Sequence, residues 1–330
     1  METAGARVAV IGGGTGTFTV LSGLKHYVGD LSAIVAMSDD GGSSGVLRDE
    51  MGALPPGDVR QCLVALSPQS HILRELLNYR FEEGQFEGHA FGNLLISALE
   101  QIGGSFEQAV KTAEQILNIE GRVIPVTTDN VRLKLTTKTQ EIVGEKHVID
   151  AHFSPEDEPK LSLEPQARIN SDAIEAITAA DMIVVGPGNL YGSLIPNLLV
   201  DGMQAALTNS PGRKVFVSNL VNKPNQTEGF LVHDYIDALE SYIEPGFFDY
   251  VLYSNYKPSD DLLSIYAKEG ETWVEHDKQA IKHRQTIGIG ADLPSRTDNK
   301  PQSNDTLIDR NLIRHDSNQL ARELMKIYFS

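Results

Sequence analysis

Cysteine, tryptophan and positive charge are scarce in this chain, and each shortage excludes something. The 330 residues hold one cysteine, Cys62, so no intramolecular disulfide framework exists and a reducing, cytoplasmic setting is the expectation. Cys62 lies in the apolar stretch Cys62-Leu63-Val64-Ala65-Leu66 with no partner base nearby in sequence, which predicts a plain buried thiol. Lysine and arginine total 28 against 45 acids, a formal charge of −17 with a pI near 4.9. That balance excludes a general electrostatic hold on nucleic acid or on an anionic membrane, so any phosphate must be held locally. No apolar run approaches the roughly 20 residues of a membrane span. The N-terminus reaches a strand by Val8 with no basic segment followed by an apolar run, so no secretory signal is expected. There is no nucleophile elbow, no Cys/His metal cluster and no defensible Ser/His/Asp order, which argues against a hydrolase or a zinc enzyme.

What is present is ordinary globular material, 41% hydrophobic and 22% charged, enough for a sizeable core. Arg7-Val8-Ala9-Val10-Ile11 is a β-branched run ending in glycine, and Phe18, Leu21 and Leu24 then share one face of a helix. Leu31–Met37 predicts the next buried parallel strand, followed by a polar loop over Asp39–Gly45. Pro55-Pro56-Gly57-Asp58 predicts a turn in which Asp58 caps a helix running to Leu66, and further helices are expected over Phe91–Gln101 and Phe106–Leu117. Between Arg122 and Ile149 the period changes to two, which places a small antiparallel β-rich excursion over roughly 121–169. A capped helix over Ser171–Ala180 feeds the apolar strand Met182–Val185, and strands over Lys214–Ser218 and Tyr250–Ser254 then alternate with helices around Leu231–Tyr242 and Asp261–Lys268. Residues 287–306, rich in Gly, Pro, Ser, Asp and Asn, predict a surface loop before a closing helix over Ser317–Tyr328. The fold expected is therefore α/β, a Rossmann-like three-layer αβα domain over 1–330 with a mostly parallel sheet and one antiparallel insertion.

Two glycine-rich turns carry the chemistry. Gly12-Gly13-Gly14-Thr15-Gly16 follows the first strand, where backbone N–H groups and the positive end of the next helix can hold an anion. It lacks the third glycine of the dinucleotide fingerprint and the lysine of a P-loop, and the alternative is a tight turn that merely packs helix on strand. Gly186-Pro187-Gly188-Asn189-Leu190-Tyr191-Gly192-Ser193 follows a second buried strand and should face the same cleft. Asp39-Asp40-Gly41-Gly42-Ser43-Ser44-Gly45 lies where a doubly wound sheet binds ligands; Asp39 could take a ribose hydroxyl, the pair could hold Mg²⁺ through water, or the segment is a solvated turn. Arg48 and Arg60 follow within reach and could fork onto phosphate. His89, in His89-Ala90-Phe91-Gly92-Asn93, could cap a helix, bind a ligand or act as a base, and with Asp39 and Asp40 it completes the catalytic candidates.

With Val10–Gly16, Ser38–Gly45, Pro55-Pro56-Gly57-Asp58-Val59-Arg60 and Val185–Gly188 in this order, the chain resembles the CofD/YvcK family, and within it the YvcK branch of gluconeogenesis factors. The resemblance runs from about residue 7 to beyond Asn219. It implies a Rossmann-like fold and binding of a uridine nucleotide sugar such as UDP-N-acetylglucosamine, linked to cell-wall precursor supply, peptidoglycan, cell shape and growth on gluconeogenic carbon. No reaction belongs to that branch, whereas the CofD branch transfers a phospholactyl group to a deazaflavin with Mg²⁺. Family patterns place an aromatic ring and an arginine late in the chain near the nucleotide; here these are Tyr266, to stack on uracil, and Arg314, to pair with diphosphate. The segment Asn222-Lys223-Pro224-Asn225-Gln226-Thr227 departs from the family's Thr-Gln-x-Gly-Glu-Thr pattern, and Thr17 and Asn189 replace an expected leucine and serine.

Three functions follow as expectations: a nucleotide-sugar sensor needing no cofactor and acting through unknown protein partners, a Mg²⁺-dependent phosphoryl-linked transferase, or an NAD-dependent oxidoreductase. A homodimer is the default assembly.

Overall fold

The structure, a computed structural model, describes residues 4–68, 71–153, 157–295 and 312–330. Its first crossover follows from the sequence pattern: β1 (Ala4–Gly12), α1 (Gly14–Leu24) and β2 (Val28–Val35). Val8, Ala9, Val10 and Ile11 are all buried, and each fully buried Val or Ile contributes about 1.5–3 kcal/mol. The chain continues through α2 (Gly42–Met51), α3 (Gly57–Leu66), α4 (His71–Asn78), α5 (Phe91–Gly103) and α6 (Phe106–Leu117) to β3 (Arg122–Pro125). In α6 the buried Phe106, Ala109, Val110, Ala113 and Leu117 form one stripe, and the Ser105 hydroxyl accepts the Gln108 N–H at its start.

An antiparallel three-stranded sheet, β4 (Arg132–Thr136), β5 (Glu141–Val143) and β6 (Lys160–Glu164), follows, with α7 (Glu145–Asp150) between its last two strands. Then come α8 (Ser171–Ala179), β7 (Met182–Val185), a π-turn over Leu190–Leu194, α9 (Ile195–Leu198), α10 (Met203–Asn209), β8 (Arg213–Val217), β9 (Val221–Asn222) and α11 (Val232–Glu240). β10 (Tyr250–Ser254), α12 (Asp260–Ala267), β11 (Thr272–Trp273), α13 (Lys278–His283), β12 (Ile287–Ala291) and α14 (Ser317–Phe329) complete the fold.

Seven parallel strands form the main sheet in the order β12-β10-β8-β7-β1-β2-β3. Val10 pairs with Ala33 on one side and with Val184 on the other. The chain therefore runs outward from β1 to β3, returns to β7 beside β1 and runs outward again, so its direction of travel reverses between β1 and β7. Helices α1, α3 and α14 pack together in one layer, while α8 packs with α10 in the other. A parallel sheet covered on both faces calls for apolar strands, and the central β1 core Val8–Ile11 and β7 are apolar and buried without alternation, whereas the edge strand β12 is largely exposed.

Four expectations need correction. The excursion over 121–169 begins too early, because Arg122–Pro125 is the outer strand of the main sheet, paired with Ser32–Val35. Ile287–Ala291 is a strand rather than loop, paired along β10; residues 296–306 of that expected loop lie outside the described residues. The loop expected through Gly45 ends at Gly41, where α2 begins. Asp58 does not cap its own helix: α3 starts after Pro56 with no side-chain cap, and the Asp58 carboxylate faces the first glycine turn instead.

Candidate functional site

The two glycine turns meet at the reversal point. A Cβ on Gly16 would overlap the carbonyl oxygen of Pro187, so the absence of a side chain is what lets the turn after β1 lie against the turn after β7. Gly14 has a φ of +65°, a left-handed conformation that glycine adopts without steric cost. Helix α1 starts at Gly13 with no side-chain cap, leaving Thr15 exposed in its first turn. The two turns are cross-tied by Asn197, fully buried, whose side-chain nitrogen donates to Gly12 O at 3.3 Å and Ser193 O at 2.8 Å. Gly186 and Pro187 are buried beneath them.

The second turn is braced on its own account. Asn219 donates to Gly188 O at 2.8 Å and accepts the Gly188 N–H at 3.0 Å. Asn189 caps the π-turn by accepting the N–H groups of Tyr191 and Gly192. Its amide nitrogen also reaches Gln226, which in turn donates to Ile149 O at 2.6 Å. The segment that departs from the family pattern thus wires the second turn to α7. Burial pushes the Tyr191 hydroxyl up to about 12, and its ring meets Phe153 edge-on with centroids 5.0 Å apart.

Four carboxyl groups gather under the turns. Asp58 receives the Gly14 N–H, and burial beside Asp39 pushes its carboxyl up to about 7. Burial also raises Asp39, against the pull of hydrogen bonds from the Gly41 N–H, at 2.9 Å, and from Ser44. Asp40 sits on the N-terminus of α7, its two oxygens accepting the N–H groups of Glu145 at 3.0 Å and Lys146 at 2.8 Å. Glu145 is pushed up to about 9, by burial first and then by Asp39, Asp58 and Asp40. Like charges crowded away from water cannot all ionise, and protons are retained at neutral pH. Gly57 has no side chain because the Asp39 carboxylate fills the place a Cβ would take. Neither Glu145 nor Asn197 is legible as a site residue in the sequence; the nearest signal for Glu145 is Gly144 before it, which has a φ of +106°.

Several expected residues serve the protein itself. Arg48, buried, donates to Asn130 Oδ1 at 2.8 and 3.0 Å and to Val131 O, tying α2 to the segment before β4. Arg60 donates to Asn93 Oδ1 at 2.9 Å and to Asn78, joining α3 to α5 and α4. Both guanidinium groups are anchored by protein acceptors rather than extended into the cleft as forks. His89 does not cap α5, which starts after Ala90; its Nδ1 lies 3.0 Å from the Ser43 hydroxyl at the start of α2. Tyr266 is buried, and its hydroxyl accepts the Ile313 N–H at 2.7 Å, so it holds the segment carrying Arg314.

That segment forms an isolated antiparallel bridge, His315 opposite Pro294, with the stretch that follows β12. Ser295 N–H donates to Arg314 O and Asp316 N–H to Leu293 O, both at 2.7 Å. His315, buried, meets the backbone of Ser218 at the end of β8; burial lowers its ring to about 4, so it is neutral, and among the described residues Nε2 has no partner. Ser218 precedes Asn219, the clamp on Gly188, so the segment around His315 is joined to the base of the second turn.

Strand order defines an open, doubly wound α/β protein whose two glycine turns meet at the topological switch point, the place where such sheets bind their ligands. The chain belongs to the CofD family: the family profile described as 2-phospho-L-lactate transferase CofD matches residues 8–293. It is similar to the gluconeogenesis factor of Halalkalibacterium halodurans, 37% identical over 292 residues that make up 86% of this chain and 87% of that protein. The gluconeogenesis factor of Bacillus subtilis is 33% identical over 322 residues, 97% of this chain and 98% of that one. A Bacillus halodurans protein solved by X-ray crystallography superimposes with a TM-score of 0.88 at 33% identity, covering 97% of this chain and 99% of its own. A further crystal structure of that protein, with a TM-score of 0.88, describes it as a member of the UPF0052 family. Among the described residues no helix is long and apolar enough to cross a membrane.

Proposed function

We propose that the chain binds a nucleotide sugar of the UDP-N-acetylglucosamine kind in the switch-point cleft and, as a cytoplasmic regulator acting through protein partners, couples cell-wall precursor supply to carbon metabolism. The observation that carries this is the direct abutment of the two glycine turns, with the start of α1 lacking a side-chain cap beside them. In this reading the remaining backbone donors of the turns and Arg314 take the diphosphate, and the uridine lies toward Asn219. The relatives' designation as gluconeogenesis factors supports the metabolic half of the proposal.

Calorimetric titration with UDP-N-acetylglucosamine, UDP, NAD⁺ and GTP, with and without Mg²⁺, tests it. Uridine-selective binding weakened at least about tenfold (~1.4 kcal/mol) in Arg314→Ala is expected. Binding of NAD⁺ or GTP alone would sink the proposal.

A second function, transfer of a phosphorus-containing group, is favoured by the carboxyl cluster of Asp39, Asp40, Asp58 and Glu145. Their oxygens are largely engaged by backbone N–H groups, and among the described residues no three of them converge as a metal cage. The donor set therefore does not fit a resident Mg²⁺ as it stands. Turnover that requires Mg²⁺ in the same titrations would favour the transferase.

A further inference from the structure

The far edge of the main sheet lies well away from the glycine turns. Among the described residues β12 is the terminal strand of the sheet and pairs with β10 alone. Ile287 N–H donates to Asp249 O at 2.9 Å, and Ala291 O accepts the Asn255 N–H at 3.0 Å. In a parallel ladder both backbone groups of one residue face the same neighbour and successive residues alternate. Ile287, Ile289 and Ala291 therefore face β10, while the N–H and C=O groups of Gly288 and Gly290 face the open side. Both glycines are exposed, and among the described residues neither has a backbone partner on that side.

A cavity of about 540 Å³ runs along this edge between β12 and α13, lined by Tyr253, Ile281, Lys278, Lys282 and the two glycines among others. A Cβ on Gly290 would come within 3.2 Å of the Tyr253 ring, and one on Gly288 within 3.2 Å of Ile281. Side chains at these positions would crowd the cavity. Lys278 and Lys282 stand one turn apart on α13, and neither side chain has an ion pair or hydrogen bond among the described residues. Six other lysines are paired with carboxylates, and Lys146, Lys160 and Lys268 have no ion pair among the described residues either; what sets Lys278 and Lys282 apart is that both line one cavity beside an open strand. In a chain of net charge −17, an unpartnered lysine pair marks a local preference for anions. Edges that proteins guard against pairing carry lysine or proline on the strand itself; this strand reads Ile-Gly-Ile-Gly-Ala and its lysines stand back across the cavity.

We propose that this edge receives an extended, acidic peptide segment of a partner protein as an eighth strand. Its backbone pairs with Gly288 and Gly290, and its acidic side chains reach over the cavity to Lys278 and Lys282. The site is independent of the nucleotide cleft.

The test is fluorescence anisotropy of the full chain with a labelled, end-blocked hexapeptide alternating glutamate and valine. Two controls are its lysine–valine counterpart and a version with alternate backbone amides methylated. The glutamate peptide is expected to bind at least about tenfold tighter than either control. Gly290→Pro removes the outward donor and sets its ring against Tyr253 in the cavity, and it should abolish that preference, as should the double variant Lys278→Glu, Lys282→Glu, which leaves the strand itself unchanged. Should Gly290→Pro fail to fold, the charge reversal and the methylated peptide decide. No saturable binding up to about 1 mM overturns the proposal, as does equal binding of the methylated peptide. A dimer in sedimentation that Gly290→Pro dissolves would also overturn it, because a second copy would then own the edge.

Discussion

Asp39, Asp58 and Glu145 are held in a floor that favours their neutral forms, and this has a definite sign for stability. A carboxyl whose folded value is raised binds protons that the unfolded chain releases, so its stabilising share is complete below about pH 4 and is lost as pH climbs towards the folded value. For Glu145, raised from 4.5 to about 9, the loss spans that interval. Glu145→Gln, which mimics the neutral acid at every pH, should match the parent near pH 4. By pH 8 it should exceed it by about 1–2 kcal/mol, after allowance for partial exposure. Denaturant melts at both pH values check this; a constant difference would show that Glu145 is ionised in the fold. Ionisation of the same acids should also weaken phosphate binding between pH 7 and 9 in the parent, with a smaller loss in Glu145→Gln, as titrations across that range would show. Cys62, fully buried with its thiol pushed up by burial, should resist a thiol reagent in the native protein and react at once in denaturant. At this scale the sequence announced Cys62, Asp39 and the glycines through composition and neighbourhood. It could not announce Glu145, which enters the cleft only because an insertion about a hundred residues after Asp40 folds its helix start onto that carboxylate.

Periodicity locates most elements, because a strand buried on both faces and a one-faced helix leave distinct patterns; α6 and β10 fall where the pattern puts them. It fails where glycine answers a tertiary demand. Gly42, Ser43, Ser44 and Gly45 look like loop, yet they open α2 because Gly45 must pass the Asp40 carbonyl, which a side chain would overlap. Ile-Gly-Ile-Gly looks like turn composition, yet it is β12, whose glycines lie beneath Tyr253 and Ile281. The same logic gives a test of the switch point. Gly16→Ala must push the two turns apart, costing about 2–4 kcal/mol and most of the ligand affinity. A variant as stable as the parent would mean that the turns separate freely. Gly5→Ala, where a side chain meets nothing within 4 Å, is the control.

The whole sheet reverses its direction of travel once, so the chain divides into two consecutive stretches that meet along the β1–β7 pairing and where Gly23 of α1 lies against the Ser317 backbone of α14. The stretch up to the exposed Pro165 holds the first glycine turn and the carboxyl cluster; the stretch from Gln166 holds the second turn, its Asn219 clamp and Arg314. Neither stretch alone owns the cleft. Made as separate polypeptides, they should reassemble, and a nucleotide sugar gripping both turns should tighten the union. Reassembly indifferent to ligand would place the binding on one piece. A bipartite reporter for the ligand is thus latent in the order of the strands.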